Sequence, residues 1–283
     1  MTETFKPQDL DVPPLPPASP TIRALTSTRL RRAIPLRLAL GLSRAVNTLR
    51  WRNPGYREWC ERSMHYLLDE SPRAAEADRL AREFGYWSVT RSELLWHPHH
   101  LTSIPLDGVE TLRAAQAEGR GVILSFNHHG WFIATFSALR AQGVALHVAV
   151  ADHYFLDTPG PDYHGRHDRQ HLINTARGGE VFNAVGSFPH IRDLLGRGEI
   201  LALAFDLPGP TRTDILGRTV YTAHGVARTA NSTDALIVPV TMWETGGPVG
   251  TARFQSPLDP RDHDSVESLH AAVVARHEPA LLA

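Results

Sequence analysis

From residue 107 onward, helix-like segments alternate with short apolar segments rich in β-branched residues, and this alternation restricts the fold more than any other feature. The order of helix and then strand recurs in GVETLRAAQAEG and GVILSF, WFIATFSALRAQG and ALHVAVA, SFPHIRDLLGRG and EILALAFD, and GVARTANSTD and ALIVPVTMWE. A Gly/Pro-rich loop is expected after EILALAFD, and ARFQSPL is a candidate further strand. The pattern predicts an α/β fold, a mixed sheet flanked by helices, whose ligands collect at strand carboxyl ends.

The first third of the chain has a different pattern. Residues 1–20 carry six prolines, which predicts an extended, disordered Pro-rich arm. Apolar residues then recur at helical spacing, in LRLALGLSRAVNTLRW (36–51) and again over 55–96, where Ser71 and Pro72 open a second helix. We therefore expect a single domain over 21–283, with an N-terminal helical lobe (21–105) and an α/β core (106–283).

The strongest charge asymmetry lies in residues 23–57, which contain nine arginines and no acidic residue. The helix at 36–51 lies inside this segment and is too short to span a bilayer. Three interpretations fit it: a helix packed on the core with its arginines reaching outward, a helix lying on a membrane surface, and an RNA-contacting face.

The composition of the chain narrows the possible partners, sites and location of the protein. The 283 residues include 29 basic and 30 acidic side chains, so the net charge of −1 does not itself indicate nucleic acid. A single cysteine, Cys60, excludes an internal disulfide and a thiolate-rich zinc site. We expect no metal and no cofactor. Because no run of 18 apolar residues and no secretory signal is found, the expected location is the cytoplasm, with peripheral contact to the inner membrane face through residues 23–57 left open.

The first candidate site follows the strand at 121–126. A strand end, a glycine, two imidazoles and a helix start occur together in Asn127, His128, His129, Gly130 and Trp131. An imidazole there is placed to take a proton from an attacking hydroxyl or amine, and the helix start supplies N–H groups for an oxyanion. We predict His128 and His129 as catalytic, with the other three residues binding substrate.

The second candidate is Asp206, which follows the apolar segment ALAF. A carboxylate leaving a buried strand is costly unless something pairs with it, and Arg212, Arg218 or a histidine are available for this. Asp206 is therefore predicted to support catalysis, with both arginines binding substrate. The alternative is that Asp206 only caps the loop through backbone N–H groups.

Two further regions are polar. The segment 152–168 is rich in histidine and aspartate, and we take Asp152 and Arg166 from it as substrate-binding candidates. A metal site is the alternative there, although the spacing matches no known ligand pattern. His224 precedes a glycine at a predicted helix start and is a further substrate-binding candidate.

Three separated blocks resemble the lipid A late acyltransferases, the lauroyl and myristoyl transferases of the lysophospholipid acyltransferase superfamily. They are GVETLRAAQAEGRGVILSFNHHGWF, RDLLGRGEILALAFDLPGP and LGRTVYTAHGVARTANSTDALIVPV, and they occur in the family's order within residues 55–280. The resemblance implies a lysophospholipid acyltransferase-like fold and transfer of an acyl group from an acyl-carrier protein or coenzyme A thioester to a hydroxyl. It places the catalytic histidine at His128 and the aspartate of the family's Asp-Gln pair at Asp206.

The chain also departs from this family. The family's glutamate, five residues after the histidine, falls on Ile133. We therefore expect a divergent acyltransferase acting on a hydroxyl or amine, with His128 as base or positioning group, and with His129, Asp152 or Asp206 available as its partner. One alternative is an aminoacyl-tRNA-dependent transferase that acylates a small amine or hydroxylamine in secondary metabolism. Another is a catalytically inactive acyl- or lipid-binding protein.

Overall fold

A computed structural model of the chain describes residues 34–95, 101–150, 179–184, 186–243 and 250–282. The predicted arm at 1–20 and the whole polar segment 152–168 lie outside these ranges. The described residues fall into two compact units. One contains the residues up to 95 together with 214–219, and the other contains the remainder.

The described part of the first unit contains three α-helices, α1 (Leu36–Trp51), α2 (Pro54–Leu68) and α3 (Ala77–Leu95). The predicted helix at 36–51 is confirmed. Asn53 starts α2, because its side-chain oxygen accepts from the N–H groups of Gly55 and Tyr56 while Pro54 occupies the first helical position. The second helix begins later than predicted. A short 3₁₀ turn at Ala74–Glu76 follows Ser71 and delays the start of α3 to Ala77.

The second unit is an α/β sandwich. Its helices are α4 (Val109–Ala117), α5 (Phe132–Ala141), α6 (Phe188–Gly196), α7 (Gly225–Thr233) and α8 (Val266–Leu281). Its main strands are β1 (Leu106–Asp107), β2 (Val122–Phe126), β3 (His147–Val150), β4 (Val181–Asn183), β5 (Ile200–Ala204), β8 (Leu236–Trp243) and β9 (Thr251–Phe254). Within the described residues these strands form one sheet in the order β1-β9-β8-β2-β5-β3-β4.

The sheet is mixed, as predicted. The pairs of β2 with β5 and with β8 are parallel, whereas β8 and β9 are antiparallel. All five residues of β2 are buried, which explains why the segment lacks polar alternation. The α/β fold class with an N-terminal helical region is confirmed.

The segment expected to be a Gly/Pro-rich loop is instead a hairpin. Strands β6 (Pro208–Ile215) and β7 (Arg218–Thr222) form a separate two-stranded sheet. Leu216 and Gly217 join them with φ angles of 55° and 80°, the left-handed pair that suits a two-residue hairpin turn. The prediction was wrong because the prolines lie only at the start of β6, where a missing N–H is tolerated in a two-stranded sheet.

The C-terminal helix α8 was not predicted from the sequence. Ser265 caps it by accepting from the N–H of Ser268 at 3.1 Å, and its buried face includes Leu269, Val273 and His277. Within the part of the chain that the structure describes, no helix is both long and apolar enough to cross a membrane.

Candidate active site

The register between β2 and β5 brings together two of the three residues predicted to be catalytic. Phe126 lies opposite Ala204 in the parallel pair, and the N–H of Phe205 donates to the carbonyl of Phe126 at 3.1 Å. Two residues further along each strand stand His128 and Asp206. Their segments leave the sheet at the same carboxyl edge, which is where α/β folds assemble ligand sites.

Asp206 contacts His128 at two points. Its Oδ2 accepts from the backbone N–H of His128 at 2.7 Å, and its Oδ1 lies 2.8 Å from Nδ1 of the imidazole. A carboxylate at Nδ1 favours the tautomer with the proton on that nitrogen, which leaves Nε2 unprotonated. Asp206 is therefore the acidic partner of His128, a point that the sequence alone leaves open.

Aromatic rings fix the plane of the imidazole. The His128 ring lies edge-on to Phe132 at a centroid distance of 4.9 Å and to Phe126 at 5.8 Å. Phe126 and Phe132 are themselves stacked at 5.0 Å. The His128 side chain nevertheless remains 43% exposed. An oriented but accessible imidazole is the arrangement that a general base needs.

Ile133 stands where the resembling family has a glutamate, and it is buried at 2% exposure. It belongs to the first turn of α5, within an apolar stretch in which Phe132 and Ala134 are also buried. The carboxylate that serves His128 thus comes from the end of the neighbouring strand rather than from the helix that follows the histidine.

The start of α5 lies three to four residues after His128. Gly130 has a left-handed backbone with a φ of 58°, and a Cβ there would approach Cβ of Met242 to 2.9 Å, so glycine is required. Trp131 is buried and precedes the first residue of the helix. Asn127 is also buried, and its side-chain Nδ2 has no hydrogen-bond partner within the described residues.

The second imidazole of the pair differs from the first. His129 is half-buried, and burial lowers its pKa, while the charge of Asp206 opposes this shift. His129 is therefore neutral at neutral pH. It supplies an uncharged donor or acceptor next to the pair formed by His128 and Asp206.

His224 lies on the segment that runs beside the residues after Asp206. The N–H of Ala223 donates to the carbonyl of Leu207 at 2.8 Å, and Nδ1 of His224 is hydrogen-bonded to the hydroxyl of Thr211. Burial lowers the pKa of His224, and the charge of Arg228 adds to that effect. These contacts hold the segment that carries His224 against the residues that follow Asp206.

His277 was missed by the sequence reasoning. It is fully buried on α8, lies 3.1 Å from Oγ of Ser125 and stacks on the ring of Phe205 at 4.4 Å. Burial lowers its pKa to about 3, so it is neutral. These contacts connect α8 to the two strand ends that carry the site. No local pattern around HEPALLA indicates this role, because the contacts join positions more than 70 residues apart.

Arg212 and Arg218, the two arginines predicted beside Asp206, lie on the hairpin of β6 and β7. Arg212 is exposed on β6. Arg218 belongs to the helical unit, where its guanidinium lies 3.5 Å from Asp69, 3.7 Å from Glu70 and over the ring of Tyr66. These carboxylates are the partners that the structure shows for Arg218.

Asp152 and Arg166 lie outside the described ranges. Among the residues that the structure describes, no group of three or more histidine, cysteine or acidic side chains is arranged to hold a metal ion.

The chain was compared with known proteins. No family model matches it, and no curated protein matches it in sequence. Among solved structures, it is similar to the 1-acyl-sn-glycerophosphate acyltransferase PlsC from Thermotoga maritima, with 17% sequence identity and a TM-score of 0.42. The similarity covers 91% of this chain and 98% of that one.

Proposed function

We propose that the protein is an acyltransferase in which His128 is the general base and Asp206 orients it. The observation that carries this proposal is the double contact of Asp206 with the backbone N–H and Nδ1 of His128. The three sequence blocks that resemble the lipid A late acyltransferases support the same reaction class.

The proposed reaction uses the unprotonated Nε2 of His128. The hydroxyl or amine of the acceptor attacks the carbonyl carbon of an acyl thioester while Nε2 takes the proton of the nucleophile. A new carbon–oxygen or carbon–nitrogen bond forms, the carbon–sulfur bond breaks, and the proton passes to the leaving thiolate. Backbone N–H groups between Gly130 and the start of α5 are the proposed donors to the transient oxyanion.

The carboxylate also bears on the class of acceptor. A base without an acidic partner suits a neutral nitrogen nucleophile, which attacks before it loses its proton. A histidine held by a carboxylate can in addition deprotonate a hydroxyl, because the carboxylate stabilises the imidazolium as it forms. We therefore favour a hydroxyl acceptor, with an amine as the alternative.

The first test compares wild-type protein with His128→Ala. Thiol release from coenzyme A thioesters of increasing chain length is followed with and without hydroxyl and amine acceptors, and products are identified by mass spectrometry. The variant is expected to lose at least ~10²-fold in turnover with an unchanged melting temperature. His190→Ala is the matched control, because His190 is also an exposed histidine paired with a carboxylate, that of Glu180 at 2.7 Å.

Two results would count against the proposal. Full turnover in His128→Ala would remove the general base from the mechanism. If neither protein turns over but both retain a bound acyl ligand, the chain is an acyl-binding protein instead.

The donor is tested in the same assay. Coenzyme A thioester, acyl-carrier protein and aminoacyl-tRNA are supplied separately, and each rate is measured as salt concentration rises. Transfer from tRNA should weaken steeply with salt, since binding a phosphate backbone releases counterions, whereas transfer from coenzyme A should change much less. We propose a thioester donor, so a reaction that proceeds only with aminoacyl-tRNA would reassign the chain to aminoacyl transfer.

A further inference from the structure

Helix α1 presents its apolar side to solvent. Leu38, Leu42 and Leu49 are exposed by 57%, 45% and 59%, and Ala45 between them is also exposed. Steps of four, three and four residues place these side chains on one face of the helix. We call the four residues the leucine face. It extends about 16 Å along the helix axis.

The opposite side of α1 is small and polar. Ala39, Ser43 and Asn47 are its buried residues. The Asn47 amide, oriented to satisfy both partners, donates to the carbonyl of Gly85 at 3.0 Å and accepts from the N–H of Tyr86 at 3.2 Å. A surface helix of a globular domain ordinarily does the reverse and buries its leucines. In this helix the fully buried residues are instead small or polar, and Leu40 and Val46 are only half-buried.

Positive charge flanks the leucine face. Arg37, Arg44 and Arg52 are exposed on the same helix or directly after it, and the segment 23–57 carries nine arginines and no acidic residue. A second copy of the chain seated on this face would bring arginine against arginine, which opposes self-association. An apolar stripe flanked by cationic side chains is the pattern of a helix that lies in the interfacial plane of an anionic bilayer.

We propose that the leucine face of α1 docks on an anionic lipid surface. The leucines would enter the boundary between head groups and acyl chains, and the arginines would meet lipid phosphates. This inference stands apart from the proposed acyl transfer, because it depends only on the helical unit and is tested by binding.

Vesicle sedimentation of the full chain is the first experiment. The protein is mixed with phosphatidylcholine vesicles, with or without phosphatidylglycerol, and is expected to sediment with the anionic vesicles. The triple variant Leu38→Ser, Leu42→Ser and Leu49→Ser should bind at least ~10-fold more weakly, since three apolar side chains no longer enter the bilayer. Phe188→Ser, which removes another exposed apolar side chain, is the matched control and should bind like wild type.

The electrostatic contribution is tested separately. Arg37→Gln with Arg44→Gln should reduce binding to anionic vesicles by about fivefold for each arginine, with little change on neutral vesicles. Arg113→Gln with Arg192→Gln removes two exposed arginines from the α/β unit and serves as the charge-matched control.

A fluorescent probe reports the docking face directly. Cys60 is buried, and burial raises its pKa to about 11, so a cysteine introduced as Leu42→Cys is labelled selectively. An environment-sensitive dye at position 42 should shift to shorter wavelength on anionic vesicles, whereas the same dye introduced by Arg57→Cys should shift less.

Several results would overturn the proposal. A full chain that stays in the supernatant with anionic vesicles has no such surface, and equal binding by the leucine variant would show that the leucine face is not used. If wild type is a dimer that the leucine variant converts to monomer, without vesicle binding, the face joins two copies. If RNA binds tightly, and if this binding is weakened by the arginine substitutions but not by the leucine substitutions, the helix binds nucleic acid instead.

Discussion

Asp206 contacts both the main chain and the side chain of His128, through Oδ2 to the backbone N–H and through Oδ1 to Nδ1. One carboxylate therefore positions the loop after β2 and orients the imidazole that this loop carries. In the resembling family the corresponding carboxylate follows the histidine by five residues. Here that position is the buried Ile133, and the neighbouring strand supplies the acid.

Asp206→Asn is expected to lower kcat by roughly 10²- to 10⁴-fold with a smaller change in KM. The amide can donate to Nδ1, which favours the tautomer with the proton on Nε2 and so removes the base. Initial rates and thermal melting are measured together, with Asp193→Asn as an exposed control on α6. An Asp206→Asn enzyme with near wild-type kcat would contradict the assigned role.

Ile133→Glu introduces a glutamate five residues after His128 but should not give the imidazole a second carboxylate partner. Ile133 is 2% exposed, so a carboxylate there would be desolvated, and we expect a loss of about 2–5 kcal/mol in unfolding free energy. Chemical denaturation measures this loss, and Ile133→Val, expected to cost about 1 kcal/mol, is the control. A stable Ile133→Glu protein with higher activity would show that the helix position can serve His128.

Gly130→Ala tests the turn between His128 and α5. Gly130 has a φ of 58° and Gly119 a φ of 75°, but a Cβ at position 130 would lie 2.9 Å from Cβ of Met242, whereas nothing lies within 4 Å at position 119. Both alanine variants should lose ~1 kcal/mol from the left-handed backbone. Only Gly130→Ala should also lose activity, because the clash displaces the start of α5. Equal activity in the two variants would contradict this expectation.

The buried His277 predicts a pH dependence of stability. Its pKa falls from 6.5 to about 3 on folding, so between these pH values the unfolded chain binds a proton that the folded chain does not. Stability should therefore decrease as pH falls from 6.5 towards 3, with a contribution of up to about 1.4 kcal/mol per pH unit from this residue. Urea unfolding across that range should show a shallower dependence in His277→Phe. An unchanged slope would mean that His277 titrates normally.

Arg120 joins three segments of the chain at the end of the sheet opposite to His128. Its guanidinium donates to Asp259 at 2.5 and 2.9 Å, to the Asp234 carboxylate at 3.1 Å and to the Asp234 carbonyl at 2.9 Å. Arg120→Ala should cost about 1–3 kcal/mol, because it leaves the Asp259 carboxylate without its guanidinium partner, although Arg261 still pairs with Asp234. Arg113→Ala, which removes an exposed arginine bonded to Gln142 at 2.8 Å, should cost less than about 1 kcal/mol in the same denaturation experiment.

Helices and strands were predicted correctly where the sequence pattern that defines them is contained within the segment itself. The helix at 36–51 and strands such as Val122–Phe126 were identified correctly because their hydrophobic periodicity is contained within the segment. The hairpin of β6 and β7 was missed because its prolines and glycines are also typical of loops. Helix α8 was missed because the burial of its histidines and central apolar residues depends on contacts with the rest of the unit, which the local sequence does not show.

For the site, the sequence determined which chemistry-bearing residues follow apolar strands, and His128 and Asp206 were both selected on that ground. It left open which group pairs with the histidine, because His129, Asp152 and Asp206 were all available. Only the parallel register of β2 with β5 brings these two residues, separated by 78 positions, within hydrogen-bond distance. The same holds for α1. Its periodicity predicts a helix, but only packing through Ala39, Ser43 and Asn47 decides that its leucines face outward, because burial depends on the neighbouring helix and not on the segment itself.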